Sequence, residues 1–168
     1  MTKSARRDPI SVATTRRMAA TSGRNNPRER TLRSELHKRG RRFRLHRRLL
    51  TNSQRTVDIV FPRARVAVFL DGCFWHGCPL HGTWPKNNAD WWREKIEGNI
   101  QRDRDTDRRL QELGWTVVRV WEHETIEVAI DQIEHALRAS NFTRNDLQEG
   151  PHGRCAAKVA EQSQQYRP

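Results

Sequence analysis

Nowhere among its 168 residues does the chain carry a run of ~20 apolar residues, the length that crosses a bilayer. The arginine-rich start also lacks the apolar stretch of a secretory signal, which argues against export. Cysteine is scarce and odd in number: Cys73, Cys78 and Cys155. An odd count, with a close pair beside histidines, argues against a disulfide framework and for metal ligation. Acid is nearly missing from the first 50 residues, which hold 3 Asp and Glu against 16 Lys and Arg; the remaining 118 hold 17 against 16. The whole excess behind the net charge of +12 therefore sits at the amino end.

Such a gradient suits a polyanion, because each Lys or Arg laid on a phosphate releases condensed counterions. Nucleic acid is the expected partner and the cell interior the expected location. One domain with tails is expected, since 35% hydrophobic content supports a core and no composition shift divides the chain. Residues 1–24 mix Arg, Ser, Thr and Ala without sustained periodicity and read as a basic flexible arm, in which Arg16 to Ala20 can turn helical. From residue 140 onward, Gln, Gly and Pro with few apolar residues predict a disordered tail that leaves Cys155 outside the folded site.

The domain between these tails, residues 25–139, opens on a helix start. Asn26 can cap, Pro27 suits the first helical position and Glu29 stands where a capping-box acid belongs; the helix should run to Gly40. Phe43 and Leu45 alternate with arginines as on a half-exposed strand with a basic outer face. Val57, Ile59 and Phe61 share one face of the next strand, with Asp58 on the solvent side. The apolar run from Val66 to Leu70 reads as a central strand that delivers Asp71 at its end. After a loop over 72–88, residues 89–113 carry Trp92, Ile96, Ile100, Leu110 and Leu113 on a helical stripe that Gly114 closes. Trp115 to Trp121 is a further strand, and Ile126, Ile130, Ile133 and Leu137 repeat at helical spacing. The order predicts an α/β fold with a mixed sheet between helices.

The densest chemistry lies between Asp71 and His81. Cys73, Cys78 and His81 are separated by four and two residues, with Gly77 and Pro79 letting the backbone fold around an ion. His123, just past the strand ending at Trp121, is the candidate fourth ligand of a structural zinc site. Reduced cysteines and surface histidines fit the spacing as well. Asp58 and Asp71 are placed to converge on a hard divalent cation such as Mg2+, which phosphodiester hydrolysis uses to neutralise charge on the phosphoryl and leaving oxygens. Taken singly, Asp58 is also the polar residue of an alternating strand, and Asp71 the turn residue before Gly72. His76 can deprotonate the attacking water, ligate zinc or touch a phosphate. Glu29 can reach the same cation through water, though its capping role explains its presence without catalysis. Phe74 and Trp75 stand in a loop, off any periodic face, where flat side chains can wedge between poorly stacked bases. Of Trp91 and Trp92, one is expected in the core and the other as a second wedge.

The segment Asp71-Gly-Cys-Phe-Trp-His-Gly-Cys-Pro-Leu-His81 closely resembles the very-short-patch repair (Vsr) endonucleases. So do Trp91-Trp-Arg-Glu-Lys-Ile96 with Asn99, Arg102, Asp103 and Arg104, and Leu110-Gln-Glu-Leu-Gly-Trp115 leading to Val120-Trp-Glu122. Arg17-Met18-Ala19-Ala20 and the Pro27/Glu29 helix start are similar too, so that the resemblance covers residues 14–139. It implies a restriction-endonuclease-like three-layer αβα fold and Mg2+-dependent nicking 5′ to the thymine of a T:G mismatch. Asp58 matches the family's metal-binding aspartate, Leu70 a position whose carbonyl binds the same cation, and His76 the base. Cys73, Cys78, His81 and His123 fall on the zinc positions, with Cys and His exchanged at some of them. Phe74, Trp75 and Trp92 match intercalating aromatics and Met18 a minor-groove wedge, with Arg16, Arg17 and Asn99 among the DNA contacts. Asp71 departs from the family by standing where a histidine is found.

The resemblance further implies a monomer acting on mismatched double-stranded DNA in the bacterial cytoplasm, at the nucleoid, with mismatch-repair proteins as possible associates. Two rival readings stay open on the residues alone: a zinc-bearing DNA-binding module without catalysis, and a less selective nuclease of the same superfamily.

Overall fold

A computed structural model describes residues 26–148, the last eight as helical backbone. Met18, Arg16, Arg17 and Cys155, with the expected arm and most of the expected tail, lie outside the described residues. The elements run in the order α1 (Pro27–Lys38), β1 (Arg44–Arg47), β2 (Val57–Phe61), β3 (Val66–Asp71), α2 (Ala89–Glu112), β4 (Thr116–Trp121) and α3 (Ile126–Gln148). Helix α3 thus extends past residue 139, where composition suggested that order would end.

Local chemistry explains most boundaries. The Asn26 side chain accepts the Glu29 backbone N–H at 2.7 Å with Pro27 behind it, so α1 begins as expected. Helices α1 and α2 both stop in the same hydrogen-bond pattern. Gly40 and Arg41 donate back to His37 and Leu36, and Gly114 and Trp115 to Gln111 and Leu110, with each glycine in the left-handed region.

The four strands form one sheet in the order β1-β2-β3-β4, antiparallel except for the parallel β3/β4 pair. A parallel pair needs a crossover, and α2 supplies it. Ile59, Phe61, Val66, Val68 and Val120 bury one face of the sheet against Leu32 and Leu36 of α1 and Ile130, Ile133 and Leu137 of α3. Val57, Val60, Ala67 and Phe69 bury the other against Leu110 of α2 and Leu50. Helices thus cover both faces of a mixed sheet, an α/β arrangement. Val57 departs from the expected strand pattern by packing with Val60 rather than with Ile59 and Phe61.

This topology places the chemistry. Because β3 and β4 are parallel and β2 is antiparallel to β3, the start of β2 and the ends of β3 and β4 share one sheet edge. Asp58, Asp71, the loop after Asp71 and His123 all lie there. Among the described residues, no helix is long and apolar enough to cross a membrane.

Candidate active site

Parallel pairing carries the chain past the end of the sheet on both strands: the Glu122 N–H donates to the Asp71 carbonyl at 2.9 Å, and the Cys73 N–H to the Glu122 carboxylate at 3.1 Å. His123 is thereby brought against the 73–81 loop. The thiol sulfur of Cys73 lies 3.2 Å, and that of Cys78 3.6 Å, from His123 Nδ1; His81 Nδ1 lies 3.9 Å from Cys78. One ligand atom from each of Cys73, Cys78, His81 and His123 falls within 4.8 Å of the other three, the only such group of His, Cys, Asp and Glu among the described residues. Two thiols and two imidazoles converging this way are a donor set that tetrahedral zinc accepts.

The loop reaches this shape through tight turns. His76 donates to the Gly72 carbonyl at 3.1 Å and Cys78 to the Cys73 carbonyl at 2.9 Å. Gly77 adopts a φ of +61° with Ile100 so close that an added Cβ would stand 2.6 Å from its Cδ1. A side chain at 77 would be strained by that backbone conformation and would have to displace the Ile100 tip.

Asp58 is half-buried rather than turned to solvent. One oxygen accepts the Leu70 N–H at 2.9 Å, and the other stands 3.9 Å from His46 Nδ1. Burial pushes the Asp58 carboxyl up from its ordinary range; Glu29 and Asp71 add to this, while the Leu70 N–H and His46 oppose it. Glu29, 4% exposed, pairs with Arg33 and lies 3.5 Å from His46 Nε2, so His46 bridges two carboxylates.

Asp71 is 3% exposed, and both its oxygens accept from Arg119 Nη1, at 2.9 and 2.7 Å. Burial drives this carboxyl up as well, with Arg119 and His76 pulling the other way. His76 Nδ1 sits 2.6 Å from Asp103 and 3.7 Å from Asp71. Burial works to lower the imidazole, but the Asp103 hydrogen bond and the charges of Asp71 and Asp103 outweigh it and hold His76 above the usual histidine range.

Phe74, Trp75 and Trp92 form an aromatic cluster with ring centroids 5.1 to 6.0 Å apart. Trp92 is 5% exposed and serves as its floor, while Phe74, Trp75 and the neighbouring Trp91 remain partly exposed. The Asn99 amide donates to the Trp75 carbonyl at 2.9 Å, tying this cluster to α2.

Three contributors were not identified from residue pattern: Arg119, Asp107 and His46. A role for Asp103 was missed too, although it stands in the quoted motif. Asp103 and Asp107 continue the spacing of Ile96, Ile100 and Leu110 on α2, so two acids interrupt an apolar stripe. Arg119 likewise stands among the valines of β4. A charge in a core position asks for a partner, and these charges partner each other: Arg119 donates to Asp107 at 2.9 Å through both Nε and Nη2. His46 left no comparable signal, because its neighbours come from α1 and β2.

The family profile described as "DNA mismatch endonuclease Vsr" matches residues 11–81. The "Type II nicking enzyme V.NaeI" of Lentzea aerocolonigenes is 40% identical over 131 residues, which are 77% of this chain and 79% of that protein. The chain belongs to the Vsr family. It is also 39% identical over 107 residues to the "DNA mismatch endonuclease Vsr" of Escherichia coli (strain K12), covering 62% of this chain and 66% of that one. The "Type II nicking enzyme V.XorIIP" of Xanthomonas oryzae pv. oryzae is 44% identical over 109 residues, 64% of this chain and 77% of that protein. As a member of the Vsr family, the protein is a DNA-cleaving hydrolase.

Proposed function

We propose that this Vsr-family protein nicks one DNA strand 5′ to the thymine of a T:G mismatch by Mg2+-dependent hydrolysis, on a restriction-endonuclease-like scaffold pinned by a structural zinc ion. The supporting observation is His76, held by Asp103 at 2.6 Å beside the sheet edge that carries Asp58. With Nδ1 facing Asp103, the imidazole keeps its proton on that nitrogen. Nε2 is then the atom that takes a proton from the attacking water.

Asp58 and the Leu70 carbonyl are the proposed ligands of Mg2+, with Asp71 alongside and Glu29 behind His46. The fit rests on charge: half-buried Asp58 is made harder to ionise by burial and by Glu29 and Asp71, a situation that a divalent cation relieves. When bound, Mg2+ neutralises charge on the phosphoryl and leaving oxygens. Cys73, Cys78, His81 and His123 would hold Zn2+ as scaffold, with no position left open for chemistry.

Phe74 and Trp75 are the proposed wedge into the mismatched step, backed by Trp92 and by Asn99 on the Trp75 carbonyl. A T:G step stacks and pairs less well than a matched one and costs less to open. Met18, Arg16 and Arg17 are proposed as further DNA contacts.

The test compares a T:G duplex with the matched T:A duplex, in Mg2+ and in EDTA. Nicking 5′ to the thymine is expected in Mg2+ alone, with the matched duplex cut ~10-fold more slowly or less. Equal cutting of the two duplexes would remove the mismatch preference and leave a less selective nuclease. An intact T:G duplex after long incubation in Mg2+ would remove the reaction itself.

A further inference from the structure

Arg119 ties together the carboxylates around His76. It reaches the site from β4 with its guanidinium carbon 4.8 Å from the centre of the Phe69 ring. Its Nη1 donates to both oxygens of Asp71, Nε and Nη2 donate to the two oxygens of Asp107, and Nη2 also stands 3.4 Å from Asp103. Asp103 in turn holds His76 Nδ1, which lies 3.7 Å from Asp71. His76, Asp103, Arg119 and Asp71 therefore close a ring.

That ring bears on which carboxylates a cation can use. An inner-sphere ligand must turn an oxygen lone pair to the ion, and two positive centres on one carboxylate repel each other. Both Asp71 oxygens are occupied by the guanidinium, in a pocket where the side chain is 3% exposed. Asp58 differs: one oxygen is used by the Leu70 N–H, and the other has only His46 at 3.9 Å.

We infer that Arg119 is a positioning residue that assigns Asp71 to His76 instead of to the catalytic cation, leaving Asp58 as the single direct carboxylate ligand. This rests on the Mg2+-dependent reading above and refines it. Arg119 also fixes Asp103, so both carboxylates flanking His76 Nδ1 are held from behind by one side chain. Its donors are spent on Asp71, Asp103 and Asp107, which gives it a role within the protein rather than on a DNA phosphate.

The experiment uses the full zinc-loaded chain bound to a duplex and follows Mn2+ binding by electron paramagnetic resonance. Asp71→Asn is expected to bind Mn2+ within about twofold of the unaltered protein, whereas Asp58→Asn loses ~10-fold or more. Arg119→Gln frees Asp71 and should tighten Mn2+ binding, while slowing nicking at saturating Mg2+ by ~10-fold with the duplex Kd unchanged. Arg119→Lys keeps the charge and should recover part of that rate. The double variant Asp71→Asn/Arg119→Gln should be no slower than the slower single one, because the two residues act as a unit.

A loss of Mn2+ affinity of ~10-fold in Asp71→Asn overturns the inference, since Asp71 would then be a ligand. Unaltered nicking in a folded Arg119→Gln overturns it too. If Arg119→Gln does not fold, the comparison of Asp71→Asn with Asp58→Asn decides alone. Loss of T:G preference with this Mn2+ pattern intact counts against the mismatch reading and not against the assignment of Asp71.

Discussion

Burial works against the charged forms of Asp58, Asp71, His76 and Asp103, and hydrogen bonds and neighbouring charges set the direction in which each ends. Asp103 is pushed up by burial but brought below the ordinary carboxylate range by His76, Arg119 and Arg102; Asp58 and Asp71 end above it. By contact, the residues that orient the base are separable from the residue expected to hold a cation: Asp71 and Asp103 meet Arg119, whereas Asp58 meets the Leu70 N–H. Asp58→Ala should bring nicking to background with duplex binding largely kept, and His76→Ala should slow it by ~10²- to 10⁴-fold, both read from single-turnover gels. Retained nicking in Asp58→Ala would remove it from the site. Asp58 could be noticed in the sequence as the polar residue of an alternating strand. The role of Asp103 could not, since its hydrogen bond spans 27 positions and depends on how α2 lies on the sheet.

The loop after β3 has little apolar content with which to hold itself, and its order depends on what its ends are tied to. Cys73 is fastened to β4 through Glu122, His123 follows that strand, and Gly77 is pressed on Ile100 of α2. A bound zinc ion would add a crosslink worth ~10 kcal/mol in small metal domains. Removing it with a strong chelator, or replacing Cys78 with Ser, should lower the melting temperature and release about one zinc per chain by a colorimetric assay. A metal-free preparation with unchanged melting would argue against the zinc reading. Trp75→Ala should weaken preference for the mismatched duplex by ~1 to 3 kcal/mol, the worth of one stacked base, and leave cutting of pre-opened substrate nearly unchanged. Element boundaries were largely legible because caps and glycines are local signals; α3 was not fully so, because composition beyond residue 139 says little about where a packed helix frays.

Two apolar clusters hold the sheet from opposite sides, and the site lies at the sheet edge between them. Leu110, fully buried under β2 and β3, is expected to cost ~2 to 5 kcal/mol as Leu110→Ala in urea unfolding followed by tryptophan fluorescence. Leu113→Ala, at a position 50% exposed, should change stability by no more than ~0.5 kcal/mol. Similar losses for the two would mean that α2 does not pack as described.

Pattern within short stretches was enough to foresee the α/β arrangement, the helix starts, the apolar strands and the convergence of the Cys/His quartet, because periodicity, capping and ligand spacing are properties of neighbouring residues. Only the folded chain decided that Asp71 meets Arg119, that Asp103 stands behind His76, that His46 bridges Glu29 and Asp58, and that Trp92 is a floor rather than a presented wedge. Each of those outcomes depends on which ends of β2, β3 and β4 share an edge and on how α1 and α2 lie against them. Strand order and helix placement minimise the exposed apolar area of the whole domain, a global balance that no short window of residues encodes.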